Sequence, residues 1–104
     1  MHNSKLLSML GLAKRAGKLS SGHDAVIEEI SRGKAQVILL AADASDRLER
    51  EMKREIEFQK SPAKLIRTTY TMEQFGRALP HKVGVVSVND ASFARAVLSI
   101  DEED

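Results

Sequence analysis

One short stretch limits the folds open to this chain more than any other feature. Residues 36–42, Gln-Val-Ile-Leu-Leu-Ala-Ala, are apolar from Val37 onward and lie between a Gly-Lys turn and an aspartate. A strand exposed on one face alternates polar and apolar residues, whereas a strand covered on both faces is apolar throughout. The stretch therefore predicts a central strand with other elements packed on each side.

Helices and further strands are predicted to alternate with this strand along the chain. Apolar residues at three- and four-residue spacings indicate helices, and short apolar stretches between turns indicate strands. The predicted helices are 4–16, 22–33, 45–58, 71–79 and 90–100, and the predicted strands are 18–20, 36–42, 64–68 and 82–88. This order predicts an α/β fold, a three-layer α/β/α sandwich with a small mixed sheet of about four strands. We assign the many charges of the third helix to solvent.

The chain is long enough for one such core and too short for two, since it has 104 residues. We predict a single domain over 1–100 and an acidic tail, 101–104, that frays because four adjacent like charges gain nothing from packing. We see no signal peptide and no apolar stretch long enough to cross a membrane. Together with the absence of cysteine, this predicts a cytoplasmic protein.

Catalytic and metal-binding patterns are missing from the sequence. The histidines are His2, His23 and His81, and none has the spacing to a carboxylate or a second histidine that a metal site needs. No serine lies in a Gly-x-Ser-x-Gly turn, and no phosphate loop ends in Gly-Lys-Ser/Thr. We therefore expect no enzyme activity, no metal and no cofactor.

A cluster of cations precedes the second predicted helix. The net charge of the chain is only +1, but Lys14, Arg15 and Lys18 lie close before Gly22 in the sequence. A glycine at a helix N-terminus lets a phosphate approach the free N–H groups, and nearby cations neutralise neighbouring phosphates. This pattern is typical of a nucleic-acid backbone site. In the simpler alternatives, Gly22 only turns the chain, the cations stabilise the end of the first helix, and His23 is a surface hydrogen-bonding residue.

Several short motifs, in a fixed order, resemble one family. They are Leu-Gly-Leu-Ala-Lys-Arg-Ala-Gly-Lys-Leu at 10–19, Ser-Gly at 21–22, Arg-Gly-Lys-Ala at 32–35, Val-Ile-Leu-Leu-Ala-Ala-Asp-Ala-Ser at 37–45, Phe-Gly-Arg-Ala at 75–78, the strand 83–88, and Asp-Ala-Ser-Phe-Ala at 90–94. The chain is similar to the kink-turn RNA-binding ribosomal proteins, the large-subunit seven-Ae and thirty-e group, and to its bacterial YlxQ branch. The resemblance covers nearly all of the chain. It implies an α/β/α sandwich that grips sharply bent RNA with the start of its second helix and the loop before its last strand.

The head of the second helix departs from the pattern of this family. RNA-binding members place Gly, a small residue, Asn or Lys, Glu or Gln, and a Lys three residues later. This sequence has Gly22, His23, Asp24, Ala25 and Glu28. Gly22 keeps the phosphate approach, and the resemblance places His23 and Asp24 against bases. Because Asp24 and Glu28 are carboxylates that repel phosphate, we expect a general or different RNA target in preference to a standard kink-turn.

The loop before the last strand also differs from the family at two positions. The resemblance implies RNA contacts at His81, Lys82 and Val83, with His81 and Val83 against an extruded nucleotide. Pro80 replaces a usual glycine, and Lys82 stands where an acidic residue is common. The loop therefore carries a positive charge where the family has a negative one, and the head of the second helix carries negative charges where the family has an amide and an ammonium.

The sequence thus predicts a monomeric protein that binds structured RNA, ribosomal or ribosome-associated, with no membrane and no small-molecule substrate as partner. The expected surface combines the end of the first helix, the start of the second and the loop at 80–83. The alternative is a protein-interaction module that kept the fold and lost RNA, with Glu28, Glu29 and the acidic tail facing a basic partner. A small-molecule enzyme is a distant third reading.

Overall fold

The computed structural model describes residues 4–103, with side chains described from 5 to 100. The elements are α1 Ser4–Arg15, β1 Leu19–Ser21, α2 His23–Ser31, β2 Val37–Leu40, α3 Asp46–Gln59, β3 Lys64–Arg67, α4 Met72–Ala78, β4 Val85–Val88 and α5 Ala91–Glu103. Each predicted helix and strand is present. The fraying predicted for 101–104 stays a prediction, because the side chains of these residues, and the whole of residue 104, lie outside the described part of the chain.

The four strands form one mixed sheet in the order β1-β4-β2-β3. β2 pairs in parallel with β3 and antiparallel with β4, and β4 pairs antiparallel with β1. All four residues of β2 are buried, as are all four of β4. The prediction of a central strand covered on both faces is therefore confirmed.

The helices pack in two groups that cover the sheet. α1 packs against α4 and α5, whereas α2 packs against α3. Apolar residues at helical spacing point inward from both groups, for example Leu6 and Leu10 of α1 and Val26 and Ile30 of α2, each at most 2% exposed. The predicted α/β/α sandwich is confirmed.

Arg67, at the end of β3, ties the start of α3 to the end of β2. Its Nη2 donates to Glu49 Oε1 over 2.6 Å, and its Nη1 donates to the backbone carbonyls of Ala41, Ala42 and Ala44 at 3.2, 3.2 and 2.9 Å. The hydrogen bond from Arg67 holds the pKa of the Glu49 carboxyl below its ordinary value. The assignment of the α3 charges to solvent is therefore wrong for Glu49, which is a structural partner.

Replacing Arg67 with methionine is expected to lower the free energy of unfolding by about 2–3 kcal/mol, because three carbonyls and a carboxylate lose their donor. Urea unfolding followed by circular dichroism measures this loss. Lys53→Met is the matched control, since Lys53 is an exposed partner of Glu49 at 3.4 Å and its loss should cost less than about 0.5 kcal/mol. Equal effects of the two substitutions would contradict a structural role for Arg67.

Candidate nucleic-acid interface

The junction of β1 and α2 is built around a glycine that is the N-cap of α2. Gly22 N–H donates to the carbonyl of Val85 over 2.9 Å, which fixes the junction to the start of β4. Its φ of 94° and ψ of 159° strain any residue with a side chain, and a Cβ built there would meet no atom within 4 Å. The backbone therefore requires glycine here, and the space beside it is open.

The first turn of α2 leaves backbone donors available. The first helical hydrogen bond runs from Val26 N–H to the carbonyl of Gly22, at 3.1 Å, and no side chain caps the helix. The N–H groups of residues 23–25 precede this bond and have no partner within the helix. Three donors at the positive end of the helix dipole can donate to an anionic oxygen.

His23 lies at this helix start between two carboxylates. Its Nδ1 is 2.9 Å from Asp24 Oδ1, and its Nε2 is 3.0 Å from Glu51 Oε1 of α3. The hydrogen bond to Asp24, and the nearby charge of Glu51, raise the pKa of the His23 imidazole above its ordinary value of 6.5. Because both ring nitrogens face acceptors, only the protonated ring donates to both.

Each acid at this helix start has a cationic neighbour. Asp24 is fully exposed and faces His23, Glu28 pairs with Arg32 at 2.7 Å, and Glu51 pairs with both His23 and Arg47. Of the two carboxylates that depart from the family pattern, Glu28 is thus offset by Arg32, and Asp24 is offset while His23 carries its proton.

The loop at 80–84 lies beside the same corner, because it leads directly into Val85, the partner of Gly22. Its backbone rests on α4, where a Cβ added to Gly76 would lie 3.3 Å from Lys82 N. His81 and Lys82 are exposed. Val83 is only 8% exposed and belongs to the core, so in this conformation its side chain anchors the loop and is not presented to solvent.

The predicted cations of α1 lie at the other end of β1. Asn89 N–H donates to the carbonyl of Lys18 over 2.8 Å, whereas Gly22 pairs with Val85. Lys18 and Gly22 therefore flank β1 at opposite ends and lie four residue steps apart, about 13 Å. Lys14, Arg15 and Lys18 are all exposed, and none is in an ion pair with a described residue. The expected surface thus divides into an α2 corner, made of residues 22–24 and the loop 80–83, and a separate basic group.

Sequence reasoning missed the α3 side of the α2 corner. Glu51, which also pairs with Arg47 along α3, reaches His23 only because α2 and α3 pack together. Its spacing from His23 along the chain gives no signal of this contact.

Between residues 4 and 103, no helix is both long and apolar enough to cross a membrane. Among the described side chains, no three His, Cys, Asp or Glu residues are grouped so that they could hold a metal ion.

Comparisons with known proteins agree with this architecture. The model of the ribosomal protein L7Ae/L30e/S12e/Gadd45 family matches residues 4–97. The RNA-binding protein YlxQ of Bacillus subtilis (strain 168) is 33% identical over 96% of this chain and 98% of its own length. RNA-binding protein YlxQ of Enterococcus faecium is 30% identical over 97% and 95%. These names describe RNA-binding proteins and not enzymes.

Two solved structures are similar to this one. A protein of unknown function from Bacillus halodurans C superposes with a TM-score of 0.80 at 28% identity, covering 94% of this chain and 97% of the other. The 15.5kD RNA binding protein of Giardia lamblia gives a TM-score of 0.70 at 20% identity, over 98% and 86%, and supports the fold alone. With a family model matching nearly its whole length and full-length relatives at 30% identity or more, the chain belongs to the ribosomal protein L7Ae/L30e/S12e/Gadd45 family.

Proposed function

We propose that this protein binds structured RNA at the α2 corner. The observation that carries the proposal is the uncapped start of α2, where Gly22 leaves open space beside three free N–H donors. Membership of the family, and relatives named as RNA-binding proteins, support the same ligand.

Each side chain of the corner has a distinct role in this proposal. A phosphate oxygen accepts from the first-turn N–H groups of α2, which Gly22 leaves accessible. Lys82 neutralises a second phosphate, and the ring of His81 stacks on an unpaired base. His23 and Asp24 face base edges, where the carboxylate accepts from a guanine or cytosine amino group. Val83 holds the loop in place from the core.

The basic group at the end of α1 contacts RNA further along the same strand. Lys14 and Lys18 are exposed, and Lys18 lies about 13 Å from Gly22 along β1. Arg15 is predicted to add a third phosphate contact. These contacts add affinity without reading sequence.

The RNA partner in this proposal is ribosomal or ribosome-associated RNA, in preference to a standard kink-turn. Asp24 and Glu28 stand where related RNA-binding proteins offer an amide and an ammonium, so the usual base contacts are not available. We further propose that the protein acts in the cytoplasm as a monomer.

RNA recovered by ultraviolet crosslinking to the protein in cell extract, compared with a gel shift on a standard kink-turn, tests the function. We expect enrichment of one structured RNA and a weaker shift of the kink-turn. The affinity should fall as salt rises, with a logarithmic slope of about −0.7 to −0.9 per phosphate contacted. Recovery no better than the transfer-RNA background would overturn the proposal, and a protein partner that persists after nuclease treatment would favour the interaction module.

Lys82→Glu is expected to weaken binding of the recovered RNA by about tenfold, because one phosphate contact becomes a repulsion. Fluorescence anisotropy with labelled RNA measures the change. Lys34→Glu makes the same change of charge at an exposed residue after the far end of α2 and should leave the affinity within about twofold, since salt screens distant charges. Similar losses in both variants would indicate only an effect of net charge.

A further inference from the structure

A groove of about 500 Å³ lies between α1 and α4, away from the α2 corner. Its floor is aliphatic, made by Leu7 and Leu12 of α1 and Ala78 of α4, and its rim carries Arg15 and Arg77. Leu12 is 46% exposed between the floor of this groove and solvent. Apolar surface at this position is left without a cover.

A second groove, of about 310 Å³, lies on the other side of Leu12, between α1 and α5. It is lined by Met9, Phe93 and Ala96. Leu12 therefore stands between two apolar depressions, and together they form one continuous apolar face, which we call the α1 face. Apolar grooves between helices are surfaces into which an amphipathic segment can lay its apolar side chains.

The charges around the α1 face are of one sign. No Asp or Glu lines either groove. Arg15 and Arg77 form no ion pair with any described residue, although Arg32, Arg47 and Arg67 all do. Two unpaired guanidinium groups above an aliphatic floor are complementary to carboxylates beside large apolar side chains.

We propose that the α1 face is a docking site for an acidic protein segment that carries large apolar side chains. The apolar residues of the segment cover Leu12 and fill the two grooves, and its carboxylates pair with Arg15 and Arg77, as in helix-in-groove recognition. Protein is favoured over RNA because the α1/α4 groove contains no aromatic ring on which a base could stack. The site is separate from the α2 corner, but it shares Arg15 with the basic group proposed to contact RNA.

In this proposal the acidic segment belongs to another protein, whose carboxylates lie beside the large apolar side chains that cover Leu12.

Selection of a random twelve-residue peptide library displayed on phage, with the full chain as bait, tests the proposal. We expect enriched peptides to combine Asp or Glu with Leu, Ile or Phe at helical spacing. Such a peptide should bind Arg15→Glu/Arg77→Glu at least tenfold more weakly. Its binding to Arg54→Glu/Lys34→Glu should be unchanged, because those exposed cations lie elsewhere and give the same change of net charge.

Nuclear magnetic resonance of ¹⁵N-labelled protein locates the bound peptide and confirms that both variants are folded. We expect shifts at Gly11, Leu12 and Ala78 and none at Gly22. Enriched peptides without an excess of acids, or shifts confined to other surfaces, would overturn the proposal. So would loss of RNA binding in Arg15→Glu/Arg77→Glu with peptide binding intact, because that result would assign the face to RNA.

Discussion

Restoring an amide and an ammonium at the head of α2, with Asp24→Asn and Glu28→Lys together, is expected to raise the affinity for a standard kink-turn by about tenfold to a hundredfold. Asp24 is fully exposed at the helix start, and Glu28 lies one turn further along the same helix, paired with Arg32 at 2.7 Å. The double substitution removes two negative charges beside the expected phosphate path and adds one positive charge.

The size of the effect follows from charge pairs at the surface. A unit charge about 5 Å from a phosphate contributes close to 1 kcal/mol in water, so three units of change give about 1.5–3 kcal/mol after screening. Glu28→Lys also releases Arg32 from its ion pair, which costs about 0.3–0.5 kcal/mol of helix stability and not of RNA affinity. Gel shifts at fixed salt measure the affinity.

A matched control separates position from net charge. Glu73→Gln with Glu57→Lys makes the same change of charge at exposed residues of α4 and α3, and we expect it to change kink-turn affinity by less than about threefold. If both double variants gained the same affinity for the kink-turn, the gain would come from net charge and not from position at the head of α2. If neither gained, the α2 corner would not be the RNA site.

The fold could be predicted from the sequence because its signals are local. The apolar stretch of β2 is buried at every position. Thr71 and Gln74 form a capping box at the start of α4, a pattern within four residues of sequence, with Gln74 Oε1 accepting from Thr71 N–H over 2.8 Å. Periodicity and capping act within a few residues, so the chain itself carries the information.

The site was harder to predict, because its geometry depends on how distant elements pack. The separation of Lys18 from Gly22 could be predicted, since a strand predicted between them already sets them far apart. The contact of His23 with Glu51 was not, because it depends on the packing of α2 on α3. The grooves beside Leu12 could not be predicted either, because the sequence of α1 does not show how α4 and α5 pack beside it.

The affinity for RNA is expected to fall by about tenfold as the pH rises from about 6 to about 9, because His23 loses its proton. Protonated His23 donates to Asp24 and Glu51 and offsets their charge, with Arg47 as the other cation facing Glu51. The neutral ring can donate to only one of the two acids. The helix start then carries uncompensated carboxylates where a phosphate should sit.

The free energy of unfolding should also fall as the pH rises. The pKa of His23 is raised in the folded chain by its carboxylate partners. The stabilisation it gives is therefore complete below the unfolded pKa, about 6.5, and is lost as the pH rises through the higher folded value. Thermal unfolding and anisotropy with the recovered RNA, across this range, measure both losses.

Two variants distinguish His23 from other sources of pH dependence. His23→Gln should abolish most of the fall in affinity and in melting temperature, since glutamine does not titrate. His81→Gln leaves the contacts of His23 intact and should keep the fall, although it weakens binding at every pH if the His81 ring stacks on a base. A pH profile that survives in His23→Gln would show that the imidazole between Asp24 and Glu51 does not control access of the phosphate to the start of α2.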